Sequence, residues 1–196
     1  MFLYNLEEYD RAAGHFIQLI EGFPKSPHVA EAHARLAQCY GAVKKRREAI
    51  SELESLLAGF PGAVDARKTR LEIADLYFDM DDLRQARTEY QKVLRDKPYD
   101  TQGERAWLQI GGIGLLLGEI EDALAAFQTV VTNTTDAEIK RRATLMMVDC
   151  YQRVLQYEDA VKLLEQLPSD PKDPGEIKHR IEAVKALQKQ RGLNLK

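Results

Sequence analysis

RKTRLEIADLYFDMDDLRQARTEYQKVLRDKP, residues 67–98, is a unit that the rest of the chain repeats. Within it a small residue, Ala86, is followed four residues on by Tyr90, seven on by Val93 and twelve on by Pro98. Ala12, Ala49, Ala86, Ala123 and Ala160 stand at a constant step of 37 residues. Each is followed four later by a large apolar side chain: Phe16, Leu53, Tyr90, Phe127 and Leu164. Leu19, Leu56, Val93, Val130 and Leu167 come next in the cycle, and the unit closes on Pro24, Pro61 and Pro98, with Thr135 in the fourth. A fixed period of this size is the signature of stacked two-helix units, each burying its apolar face against the next. The predicted class is therefore all-α: ten or so antiparallel helices in a right-handed α-solenoid of about five hairpins, the first incomplete, with a C-terminal capping helix.

Composition narrows the function classes. The 196 residues carry 28 basic and 31 acidic side chains, a formal charge of −3, which gives no global pull toward nucleic acid or anionic lipid. No transmembrane segment is predicted, since no run of 18 or more apolar residues exists, and no nucleic-acid partner is expected. The first residues do not show the basic, apolar and small-residue order of a secretory leader. Cys39 and Cys150 occupy the same point of the cycle three repeats apart. Helices pack no closer than roughly 8 Å, so a disulfide between the two is out of reach and both read as small buried hydrophobes.

The repeat phase divides the chain. Residues 1–172 form the array, in units of about 1–26, 27–63, 64–100, 101–137 and 138–172; residues 173–196 form a capping helix and tail. Unit one is read as a second helix, Leu6 to Phe23, with Phe2, Leu3 and Tyr4 left over from a preceding first helix. That apolar end leads us to expect a piece of a longer chain, or an end that something covers. Ser26 is expected as the N-cap of the next helix with Pro27 at its first position. Turns are expected at Lys44-Lys45-Arg46-Arg47, at Asp79-Met80-Asp81-Asp82, at Gly118 and near Gln156. Asp173-Pro174-Gly175-Glu176 has capping-box spacing before the last helix, whose apolar face is Ile177, Ile181, Val184 and Leu187 and whose polar face includes Lys185 and Gln188. A solvated cap of this kind leads us to expect a natural C-terminus.

These units resemble the tetratricopeptide repeat, W-x2-L-G-x2-Y…A-x3-F…P. Repeat four carries Trp107, Ile110, Gly111, Ala123 and Phe127; repeat three carries Ile73, Ala74, Tyr77, Ala86, Tyr90 and Pro98; repeat two carries Leu36, Ala37, Tyr40, Ala49, Leu53 and Pro61. The family period is 34 residues, and the three extra here fall before each first helix, which is expected to be lengthened by about a turn. With Phe-Pro-x-Ser-Pro ahead of an Ala-rich helix, the variant is similar to bacterial envelope tetratricopeptide lipoproteins of the Tol-Pal-associated and β-barrel-assembly types. That similarity implies a periplasmic or envelope location; without it the cytoplasm is the expectation.

The resemblance implies a concave groove lined by first helices. By phase its partner-binding residues are Arg35, Gln38, Lys68, Leu71, Asp75, Phe78, Arg105, Leu108, Gly112, Leu115, Arg142, Leu145 and Asp149, with Glu72, Gln109 and Gln152 beside them. Its middle is apolar, so an apolar or amphipathic segment of another protein is the expected partner, with Arg35, Lys68, Arg105 and Arg142 contributing charge contacts. Chaperone-binding members clamp a carboxylate with Lys and Asn at cycle positions that read Ala34 and Gln38, Leu71 and Asp75, and Leu108 and Gly112 here, so that mode is not expected. Leu71, Leu108, Leu115 and Leu145 have a second reading as packing between hairpins.

Other constellations carry no chemistry. Gly111-Gly112-x-Gly114 lies inside a predicted helix, with neither a preceding strand nor a following Gly-Lys-Ser/Thr, so it is not a phosphate loop. Gly114 stands where other units have Tyr40, Tyr77 and Tyr151, which leaves either a closer helix contact or a hollow under the groove. Lys44 to Arg47 is offset by the acidic turn one repeat later, which itself lacks the glycine and glutamate of a calcium loop. His15, His28, His33 and His179 are scattered, so no metal or other cofactor is expected. No nucleophile, base and orienting group converge, and an enzyme is not predicted. The function expected is a non-catalytic protein–protein interaction scaffold. The alternatives are a self-associating structural protein, a homo-oligomer through the N-terminal face, and the docking module of a longer multidomain chain.

Overall fold

Lys44, Asp81, Gly118 and Leu155, one repeat apart, all have left-handed backbone, with φ of 62°, 61°, 76° and 62°. After each, an N–H returns to the carbonyl five residues back: Lys45 to Tyr40, Asp82 to Tyr77, Glu119 to Gly114 and Gln156 to Tyr151, at 2.8 to 2.9 Å. This helix-ending motif satisfies carbonyls that the last turn would leave open, and it reverses the chain into the second helix of each hairpin.

The computed structural model describes residues 2–168 and 173–192, with side chains from Glu7 onward. Among these are ten α-helices and no β-strand: α1 (Phe2–Gly22), α2 (Val29–Ala42), α3 (Arg46–Gly59), α4 (Ala66–Asp79), α5 (Leu83–Val93), α6 (Thr101–Leu117), α7 (Ile120–Asn133), α8 (Ala137–Arg153), α9 (Tyr157–Gln166) and α10 (Glu176–Gln190). The chain divides into two compact units, Met1–Asp96 and Lys97–Lys196. In each, every helix packs on the next in sequence, α1 through α5 and α6 through α10.

The core of each unit is the repeat's apolar set. In the first, Ala13, Leu36 and Cys39 form one cluster and Ala37, Ile50, Leu53 and Ile73 another. In the second, Ala123, Phe127, Val130, Ala143, Met147 and Cys150 pack together, and Val148, Tyr157, Ala160, Leu164 and Val184 bring in α10. Both cysteines are free and buried, and burial pushes the Cys150 thiol up to about 11. His33 and Arg70, one repeat apart, bond the carboxylates of Glu52 and Glu89 at 2.6 and 3.1 Å. The same positions of the next repeat are Trp107 and Ala126, and the buried indole Nε1 of Trp107 has no hydrogen-bond partner among the described residues.

Several expected boundaries move. α1 is one helix from Phe2, so the remnant of a preceding first helix is not a separate element: Glu7, at the cycle position of Lys44 and Asp81, is helical, and no glycine or proline lies between residues 2 and 12 to break the run. The apolar end proposed for Phe2, Leu3 and Tyr4 rests on side chains outside the described residues. α2 starts at Val29, because the turn before it is closed by an i to i+3 bond, Val29 N–H to the Ser26 carbonyl at 3.2 Å; the Ser26 hydroxyl accepts only from the His28 N–H. The lengthened first helix is present in α6 and α8, of 17 residues, but not in α2 and α4, of 14. Ahead of α2 the extra residues form turns around Pro27, and ahead of α4 Gly62 at φ 92° excludes helix. Asp100 and Asp136 cap the two longer helices further upstream.

The capping box at α10 does not form. The helix starts at Glu176, so its N-cap is Gly175, which has no side chain to cap with, and the Glu176 carboxylate is taken by Arg141 of α8 and, at 2.9 Å, by Arg180. Arg141 also donates to the Pro168 carbonyl at 2.7 Å, which ties α10 and the end of α9 to α8. Gln188 is buried rather than on the polar face, and Leu187 is exposed.

Candidate functional site

In the first unit α2 and α4, the first helices of successive hairpins, border a cavity of about 250 Å³. Gln38, Glu72, Asp75 and Asp79 supply its polar lining, and Ala37, Gly41, Leu53 and Leu76 its apolar lining. Three carboxylates therefore project from one face of α4 at helical spacing. The Tyr90 hydroxyl donates to Asp75 at 2.6 Å, and Arg46 stands 3.6 Å from Asp79. That ion pair and the 3.1 Å contact between Lys45 and Asp10 engage two cations of the basic turn within the unit.

In the second unit the equivalent seam lies between α6 and α8. A cavity of about 260 Å³ is lined by Leu108, Gln109, Gly112, Phe127, Arg142 and Met146. Three glycines of α6 shape this place in different ways. A Cβ on Gly111 would stand 2.5 Å from the Phe127 ring, so the missing side chain is what lets the ring of α7 reach α6. Gly114 is the closer contact of the two alternatives, its Cβ position 3.1 Å from the Ala123 Cβ and from the Glu119 carbonyl oxygen. At Gly112 nothing lies within 4 Å, and the helix is left bare beside the cavity.

Further along α8 a cavity of about 300 Å³ is lined by Leu115, Asp149, Gln152, Arg153, Tyr157, Leu187 and Arg191. Arg153 donates to the Leu115 carbonyl at 3.1 Å, which fixes its guanidinium across from α6. Loss of solvent raises the Asp149 pKa, with Arg180 and Arg153 acting in the opposite direction.

The predicted groove residues sort by these cavities. Gln38 and Asp75 border the first; Leu108, Gly112 and Arg142 border the second; Leu115 and Asp149 border the third. Arg35, Lys68, Leu71, Phe78, Arg105 and Leu145 line none of the three. Leu71 is 3% exposed, and Leu108 and Leu115 belong to the core cluster that holds Phe127, while Leu145 packs against the cluster around Val148. Arg35 lies along its own helix, 3.6 Å from Glu31 and bonded to Gln38 at 3.4 Å.

Phase reasoning omitted Leu53, Asp79, Phe127, Met146, Arg153, Tyr157, Leu187 and Arg191. Leu53 and Phe127 sit on second helices and read as core by period, yet both border cavities; the Phe127 ring reaches α6 because Gly111 carries no side chain. Leu187 comes from α10, which the phase assigned to capping alone, and Arg191 from its C-cap.

Known proteins give the fold its class. Residues 71–138 match the family described as Tetratricopeptide repeat. The fold is that of tetratricopeptide-repeat proteins. A tetratricopeptide repeat protein of Parabacteroides merdae superposes with a TM-score of 0.70 at 15% identity, over 96% of this chain and 70% of that one. MamA superposes with a TM-score of 0.63 at 16% identity, over 86% and 85% of the two chains. YrrB, described as a tetratricopeptide-repeat protein with an unusual peptide-binding site, gives 0.62 at 16% identity, over 95% and 87%. No curated protein matches the chain. Tetratricopeptide-repeat proteins are in general scaffolds for binding other proteins, and no described helix of this array is long and apolar enough to cross a membrane.

Proposed function

We propose that this chain is a non-catalytic scaffold that binds a segment of another protein along its first helices, with an apolar side chain of that segment entering the cavity beside Gly112. The carrying observation is the open space at Gly112: a helix-interior glycine costs about 1 kcal/mol relative to alanine, and here nothing packs on it. Its neighbours Phe127, Met146 and Leu108 offer apolar walls, and Arg142 offers charge. YrrB's description as a peptide-binding repeat protein at similar fold supports the class of ligand.

Peptides selected from a random-sequence display library on the full chain supply the probe. Gly112→Leu, which fills the cavity from open helix surface, is expected to abolish their binding while the helical circular-dichroism signal stays intact. Unchanged affinity in that folded variant contradicts the reading. The Phe23-Pro24-Lys25-Ser26-Pro27 stretch supports placing the scaffold in a bacterial envelope; recovery of the native protein from the cytosol alone would count against this.

A further inference from the structure

We infer that the α6/α8 cavity selects an apolar side chain flanked by carboxylates, so that the partner segment is acidic and amphipathic and is read by the second unit. The inference rests on the scaffold reading above and adds the chemistry of the ligand. Apolar cavities of about 150 Å³ hold a benzene-sized group. At about 260 Å³, with Leu108, Phe127 and Met146 as walls, this one has room for a single Leu, Met or Phe side chain. The Met146 thioether adapts its shape and favours an aromatic edge.

Charge decides what stands beside that side chain. Arg142 lines the cavity, is exposed, and makes no hydrogen bond or ion pair among the described residues. A guanidinium offers a planar fork that matches a carboxylate. Of the acidic side chains on α8, Glu138 stands one turn before Arg142 and makes no ion pair with it, and Asp149 lines the next cavity together with Arg153.

Along α4 and α8 Lys68 matches Arg142 and Asp75 matches Asp149, but two other positions differ, and the two cavities have linings of different charge. Two repeats before Met146 and Arg153 stand Glu72 and Asp79, and with Asp75 they face the α2/α4 cavity. That lining holds three carboxylates and no cation, and Glu72 stands where the second unit has the apolar wall of Met146. Complementary potential sets partner choice more than it sets affinity, and a lining with Arg142 and no carboxylate assigns recognition of an acidic segment to the second unit.

The peptide selection on the full chain reads this directly. Enriched sequences are expected to carry Leu, Met or Phe with Asp or Glu adjacent. Arg142→Glu, an exposed position, should weaken those peptides by about tenfold and strengthen their Lys-substituted counterparts. Glu21→Lys, at an exposed position of α1 that lines none of the three cavities, should leave both affinities unchanged. Enrichment of basic sequences, no charge preference, or equal affinity in Arg142→Glu overturns the inference. If Gly112→Leu abolishes binding while Arg142→Glu does nothing, the scaffold reading stands and this one falls. If no peptide is enriched, both fall.

Discussion

A Cβ on Gly111 would stand 2.5 Å from the Phe127 ring, whereas one on the next residue meets nothing within 4 Å. The two glycines therefore answer differently to one methyl group. Gly111→Ala forces the buried ring out of place and should cost about 1–3 kcal/mol. Gly112→Ala removes backbone freedom from the unfolded chain at no steric cost and should add about 0.5–1 kcal/mol. Urea titration of both variants checks the sign. Leu155 carries the left-handed turn that glycine carries at position 118. A left-handed non-glycine residue stores about 1–2 kcal/mol, and glycine's greater unfolded freedom offsets part of the relief, so Leu155→Gly should raise stability by about 0.5–1 kcal/mol. A fall in the urea midpoint would show that the exposed Leu155 side chain contributes more than the turn costs it.

At the scale of elements, α10 is held by a charge cluster as well as by Val184. Glu176 binds Arg141 and Arg180, and these hydrogen bonds hold its carboxyl below the usual value of 4.5. A carboxylate with a depressed folded pKa contributes stability above its unfolded pKa and loses it as pH falls through the folded one. Stability of the α8–α10 packing should therefore decline below about pH 4.5. In Glu176→Gln that decline should be smaller, at a cost near neutral pH of about 1 kcal/mol. Amide exchange in α10 measured at two pH values separates this from global unfolding. The helix itself was legible from Ile177, Ile181 and Val184 at helical spacing; its anchor was not, because capping-box spacing is satisfied by the same Glu176 that a distant arginine claims. In the same way the 37-residue step announced ten helices and their turns, since Lys44, Asp81, Gly118 and Leu155 occupy one position of the cycle. The unequal lengths of α4 and α8 were hidden in which aspartate caps and which glycine turns.

At the scale of the whole molecule, two units of like fold carry different seams. Phase placed Gln38, Asp75, Leu108, Gly112 and Arg142 at the cavities because first helices repeat their inward faces. Phase alone did not separate Leu71, which the packing buries, from Met146, which it leaves at a cavity wall: both are apolar residues on first helices, and only the neighbouring helix decides which stays accessible. On the proposed reading, another protein's segment docks at the first-helix seams, above all that of α6 and α8. Two-dimensional amide NMR of the full chain titrated with a selected peptide tests it most directly. Shift changes are expected to centre on Leu108, Gly112, Arg142 and Met146 and to be absent in Gly112→Leu. Changes confined to the outer faces of the second helices α3, α5, α7 and α9 would contradict it.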